Sequence, residues 1–166
     1  MSINNKYNEE AIEKIKELVE DIDFCMFLSD FDSVPINAAP MSTKKVDKQG
    51  HIWFLSSIEH DTVTNVQKDL RAQLIYSKPG DMEFLTVAGE ARIVVDQLII
   101  KDLYQKSDDS WFDGADDPQI RAIVVNPKEA KYWEPKSNKA VTLFKMAYGA
   151  LTGNQVDMGK EGNLRP

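Results

Sequence analysis

"MEFLTVAGEARIVVD", Met82 to Asp96, constrains the architecture more than any other segment. Leu85, Val87, Ala91, Ile93 and Val95 share one parity, while Glu90 and Arg92 share the other. Alternation with a period of two marks a strand with one face in a core. The strand is long for a globular protein, and Gly89 interrupts its middle. A glycine at that point signals a bulge or a close approach of another backbone. A long strand bent at a glycine is one way for a sheet to curl into a barrel.

Shorter strands surround it. "RAQLIYS" (Arg71 to Ser77) reaches it through a "KPGD" turn. "DFCMFLSD" (Asp23 to Asp30) is apolar on both faces, and "INAAPMSTKKVD" is its hairpin partner after a turn at Phe31 to Pro35. "HIWFLSS" (His51 to Ser57) follows a turn at Asp47 to Gly50, and "AIVVNP" and "AKYWEP" read as two late strands. Ile12, Ile15, Val19 and Ile22 fall at helical spacing between about Glu9 and Asp21, with Asn8 as a cap. Helices are also predicted at His60 to Asp69, capped by Asp61, at Gln97 to Lys106, and at Asn138 to Gly153. The whole is α+β and mainly β: a six- to seven-stranded antiparallel barrel with flanking helices. It reads as one domain over residues 1–166, with about 154–166 as a candidate flexible tail.

Composition narrows the function. The chain has 166 residues, 42% of them hydrophobic, enough for a sizeable core without disulfides. Its one cysteine, Cys25, excludes an internal disulfide and suits a reducing cytosol. A net charge of −7 argues against nucleic acid, whose binding rests on neutralising phosphates. No apolar run approaches the ~20 residues of a membrane helix, and the N-terminus lacks the pattern of a signal peptide, so a cytoplasmic protein is expected.

Catalytic constellations are missing. His51 and His60 lack metal-ligand spacing to other ligating residues, so no metal site is expected. Cys25 lies in an apolar strand and reads as a small core residue. No glycine run precedes the Lys-Ser/Thr of a phosphate loop. No catalytic residue can be named, and an enzyme on this chain would borrow a cofactor's chemistry.

The order of the features carries more than any one of them. A leading helix, two strands with "PM" at Pro40–Met41, "HIWFLSS", a capped helix, "AQLIYS", "VAGEARIVVD", "WFDGADDP", "KYWEP" and "LTG" follow in sequence. This order resembles the general stress protein branch of the pyridoxamine 5′-phosphate oxidase-like flavoproteins, over nearly the whole chain. The resemblance implies a split β-barrel, a homodimer, and FMN in a groove between the subunits. It implies a flavin-dependent oxidoreductase acting on a small molecule that the sequence does not identify.

Residue by residue, it places Ala39, Pro40, Met41 and Ser42 along the flavin, with Phe54, Leu55, Ser56 and Ser57 on a second strand and Thr62 at a helix start. Trp111 and Trp133 either border the ring or fill the subunit interface. The family commonly has an arginine just before "PM" and a lysine at that helix start, where this chain has Ala39 and Thr62. FMN is then held weakly or lost unless Lys44, Lys45, Lys68 or Arg71 replaces the charge. The alternative reading is a non-catalytic flavin-binding or ligand-free stress dimer. Oxidation of pyridoxamine phosphate itself is disfavoured, because the loop at Ser107 to Asp117 is acidic and would repel a second phosphate.

Overall fold

A computed structural model describes residues 2–136 and 159–166. Two short strands, β1 (Ser2–Ile3) and β2 (Lys6–Tyr7), precede helix α1 (Asn8–Ile22). Then come β3 (Phe24–Ser29), β4 (Asn37–Ser42), β5 (Lys45–Val46) and β6 (Ile52–Ser57). Helix α2 (Asp61–Lys68) leads into β7 (Arg71–Lys78) and β8 (Glu83–Val94). Helix α3 (Gln97–Leu103) and a 3-10 turn at Lys106–Ser110 lead to β9 (Ile120–Pro135), and β10 (Gly159–Arg165) closes the series. The chain is mainly β, as expected.

The long strand is β8, and it holds the sheet together by pairing antiparallel with β7 and β9. Leu85, Val87 and Ala91 are fully buried on its inner face. Gly89 acts as the sequence predicts. A Cβ there would lie 2.4 Å from the Asn126 carbonyl oxygen. The register also slips at this point. Gly89 pairs with Pro127 and Ala88 with Glu129, which leaves Lys128 as the extra residue of a bulge.

Two expectations are corrected here. The two late strands are one sixteen-residue strand, β9. Pro127 donates no N–H, and it continues in the strand because it sits at the bulge, where the ladder is already interrupted. The tail is the second. Part of it, Gly159–Arg165, is strand β10, paired antiparallel with β9 and parallel with β1 and β2. Among the described residues ten strands form one sheet, seven of them six residues or longer. The helix predicted at Asn138 to Gly153 lies outside the described residues.

Two apolar clusters fill the structure. The main one joins Phe27, Phe54, Leu74, Tyr76, Val87, Ile123 and Tyr132 to Ala11, Ile15, Leu18 and Val19 of α1 and to Val63 and Val66 of α2. Phe27 and Phe54 meet edge to face, centroids 5.6 Å apart. Each such fully buried side chain stabilises the fold by about 1.5–3 kcal/mol. The second cluster lies across the sheet, where Ile100 and Leu103 of α3 cover Leu55, Ile120 and Ala122.

The strand order runs β1-β10-β9-β8-β7-β3-β4, with β6 on the far edge of β9. Among the described residues strand β4 pairs with β3 alone, and β6 meets β5 over only two residues. Between β4 and Phe54–Ser57 of β6 the barrel is therefore unstitched. One hydrogen bond, from Lys44 N to the Trp53 carbonyl at 2.8 Å, closes this seam at one end. Helix α2 packs against β3, β4, β6 and β8 at the other.

Candidate functional site

The seam between β4 and β6 is the candidate site. Its β4 wall is thin because its side chains are small. Ala38 and Pro40 are exposed, Ala39 packs on the main core, and Met41 is buried in it. Proline fits because β4 is an edge strand among the described residues. Ser42 turns away from the seam, its Oγ donating to Asp23 Oδ1 at 3.1 Å.

The β6 wall divides by parity. Phe54 is fully buried in the main core, and Leu55 belongs to the cluster beneath α3. Ser56 is buried, and its Oγ lies 3.2 Å from His60 Nδ1, which ties the strand end to the residue capping α2. Ser57 Oγ accepts from Glu59 N at 3.3 Å. Thr62 is buried in the first turn of α2. The fold thus gathers Ala39–Ser42, Phe54–Ser57 and Thr62 around one seam, although the side chains of Phe54, Leu55 and Met41 are taken up by packing.

The two tryptophans stand elsewhere. Trp133 pairs with Phe84 and Glu161, and its Nε1 donates to Glu161 Oε2 at 2.9 Å. Ser57 pairs with Ile120 at the start of β9, thirteen residues earlier. That is about 40 Å of chain along an extended strand, so Trp133 lies towards the opposite end of β9 from the seam. Trp111 is 80% exposed at the end of the 3-10 turn. Its neighbour Phe112 is the aromatic of that loop that packs on the second cluster.

The basic side chains near the seam are committed. Lys44 forms a buried ion pair with Asp108, which also accepts from Gln105 N at 2.8 Å and so anchors the 3-10 turn. Lys45 pairs with Asp102 at 2.8 Å. Arg71 is held by Asp69 and Asp32, whose carboxylates push its pKa up. Lys68 is exposed at the far end of α2, about 10 Å from its start. None of the four lies free at the seam's α2 end.

Beside the closed end, Asp47 organises the turn between β5 and β6. It accepts from Gln49 N and His51 N at 2.9 Å, from Trp53 Nε1 at 3.0 Å, and lies 3.0 Å from His51 Nδ1. Burial opposes its charge, but the Trp53 and His51 bonds outweigh burial and hold its carboxyl below the ordinary range. Cys25 is inert, as expected, because burial pushes its thiol up to about 12. Among the described residues no cluster of three or more His, Cys, Asp or Glu could hold a metal ion.

The sequence gives little sign of two features. Ser56 and His60 look ordinary four residues apart, and only the turn from β6 into α2 joins them. Arg121, the second residue of β9, lies directly opposite Ser56, a pairing set by a register across sixty-odd residues.

A barrel left open between β4 and β6, with α2 across its end, can be compared with known proteins. The family described as pyridoxamine 5′-phosphate oxidase like matches residues 10–157. The chain belongs to this family. Solved structures with the same fold include a chain described as general stress protein 26 from Jannaschia sp. CCS1, at 22% identity and a TM-score of 0.79, covering 95% of this chain and 99% of that one. A general stress FMN/FAD binding protein from Xanthomonas citri is 20% identical, with a TM-score of 0.66, over 79% and 93% of the two chains. General stress protein 26 from Bacillus anthracis str. Sterne is 17% identical, with a TM-score of 0.64, over 73% and 92%. At these identities the likeness is one of fold. No curated protein sequence matches the chain. No described helix is long and apolar enough to cross a membrane.

Proposed function

We propose that this chain is a general stress protein of one domain that binds FMN along the β4–β6 seam, in the cytoplasm, as a homodimer. The observation that carries the proposal is the unstitched seam in a member of this family. Its wall is thinned by Ala38 and Ala39, and its β4 edge has backbone N–H and C=O groups that no described strand pairs. These groups suit a flat ring with a polar rim. The outer sheet face offers a second copy an apolar patch, with Phe24 60% exposed and Met26 directly opposite Ile75. A partner seated there supports a role for its Trp133 at the ring or the interface. Bound flavin would supply hydride or electron transfer to a small substrate. This chain's residues would hold the ring and exclude water.

The test is an absorption spectrum of freshly purified protein near the flavin bands, followed by titration with FMN. Bound flavin, or saturable binding on titration, is the expected result. Colourless protein that FMN does not bind sinks the proposal.

A second reading, a flavin binder without catalysis, is favoured by one observation. Among the described residues both histidines already have partners, His51 in Asp47 and His60 in Ser56, so neither imidazole points unpaired at the seam. Turnover of bound flavin by a small substrate, faster than free FMN, counts against that reading.

A further inference from the structure

A phosphate at the α2 end of the seam needs a cation or several N–H donors in place of water. Ala39 and Thr62 supply no charge there. Lys44, Lys45 and Arg71 are paired to Asp108, Asp102, and Asp69 with Asp32. Glu59 and Asp61, beside His60, are exposed carboxylates that oppose an anion.

One guanidinium remains at that end. Arg121 pairs across β6 and β9 with Ser56. Directly opposite residues share a sheet face, with Cβ atoms about 5 Å apart. The preceding pair on that face is Phe54 with Ile123, both in the main core that Val63 and Val66 of α2 cap. Arg121 therefore stands on the inner face, beside Ser56 and the His60 that Ser56 holds. Its Nη1 donates to the carbonyls of Pro118 at 2.8 Å and Ile120 at 2.7 Å. These bonds fix the planar group while leaving Nε and Nη2 without a partner among the described residues. It is half-buried and has no ion pair with a described carboxylate.

We infer that Arg121 is the anion-recognising side chain of this site, taking the phosphate of a phosphorylated flavin at the α2 end of the seam. A guanidinium offers two parallel donors to a phosphate, and here its stem is pinned before the ligand arrives. The inference rests on the flavin reading of the seam. It adds which residue separates FMN from riboflavin, the same ring without the phosphate.

The experiment is fluorescence titration of the full chain with FMN and with riboflavin, for wild type, Arg121→Ala and Arg121→Lys, with thermal unfolding of each. Wild type should prefer FMN by roughly tenfold to a hundredfold, the contribution of one charge-assisted hydrogen-bonded contact. Arg121→Ala should lose that preference and leave riboflavin within about threefold, and Arg121→Lys should keep part of it. An FMN preference that survives in Arg121→Ala overturns the inference and leaves the flavin reading standing. Equal losses for both flavins show a residue that merely braces Pro118 and Ile120, and also overturn it. Equal wild-type affinity for the two flavins overturns it even if the variants fail to fold. Binding of neither flavin ends the reading and the inference together.

Discussion

Gly89 is a residue whose one missing atom decides how two strands meet. The Asn126 carbonyl approaches to where a Cβ would lie, and the bulge beside it leaves Lys128 as an extra residue in β9. Gly89→Ala forces the backbone of β8 or β9 to move. It should cost about 2 kcal/mol or more, the range of overpacked core substitutions. Urea unfolding checks this, and an alanine variant as stable as the parent would show that the strands can part freely. At the same scale, Ala39 and Thr62 show that small residues thin a wall without charging it. The charge at that end falls to Arg121, which neither composition nor local pattern marks.

At the scale of elements, the β5–β6 hairpin depends on one carboxylate. Asp47 gathers four donors from Gln49, His51 and Trp53, and this sets the start of β6 and hence one wall of the seam. Its folded pKa lies below its unfolded one, so the stabilisation is complete above about pH 4 and is lost as pH falls through the lower folded value. Asp47→Ala should cost about 2 kcal/mol at pH 7. The gap between variant and parent should close as the pH drops below about 4. Denaturant melts from pH 7 down to about pH 2.5 measure both, and a gap independent of pH would mean that the carboxylate's charge is immaterial to the turn. Helix α1 shows the same dependence on a distant partner. Its apolar spacing is plain in the sequence, yet Tyr7 rather than Asn8 occupies the cap position. Chain entry there is set by β2 pairing with the remote β10.

For the whole molecule, the proposed homodimer can be tested at the outer sheet face. Phe24, Met26 and Ile75 lie on adjacent strands and are 60%, 40% and 38% exposed. Neighbouring exposed apolar side chains are where the proposed homodimer would bury surface. Sedimentation should show a dimer. Met26→Glu with Ile75→Arg should shift it to monomer and weaken flavin binding at least about tenfold, as burying charges in an apolar interface costs several kcal/mol. A monomeric parent, or a monomeric variant that binds flavin undiminished, would confine the site to one copy of the chain.

Local sequence is enough to read the main strands, the interruption of β8 at Gly89 and the family. These depend on period-two alternation and on the order of turns, which are short-range and survive at low identity. Only the folded chain shows that β9 is one strand, that Lys44 is paired to Asp108, and that Arg121 stands beside Ser56. The difference is one of range. Register, ion pairing and bulges are agreements between segments far apart in the chain, and no window of sequence contains both partners.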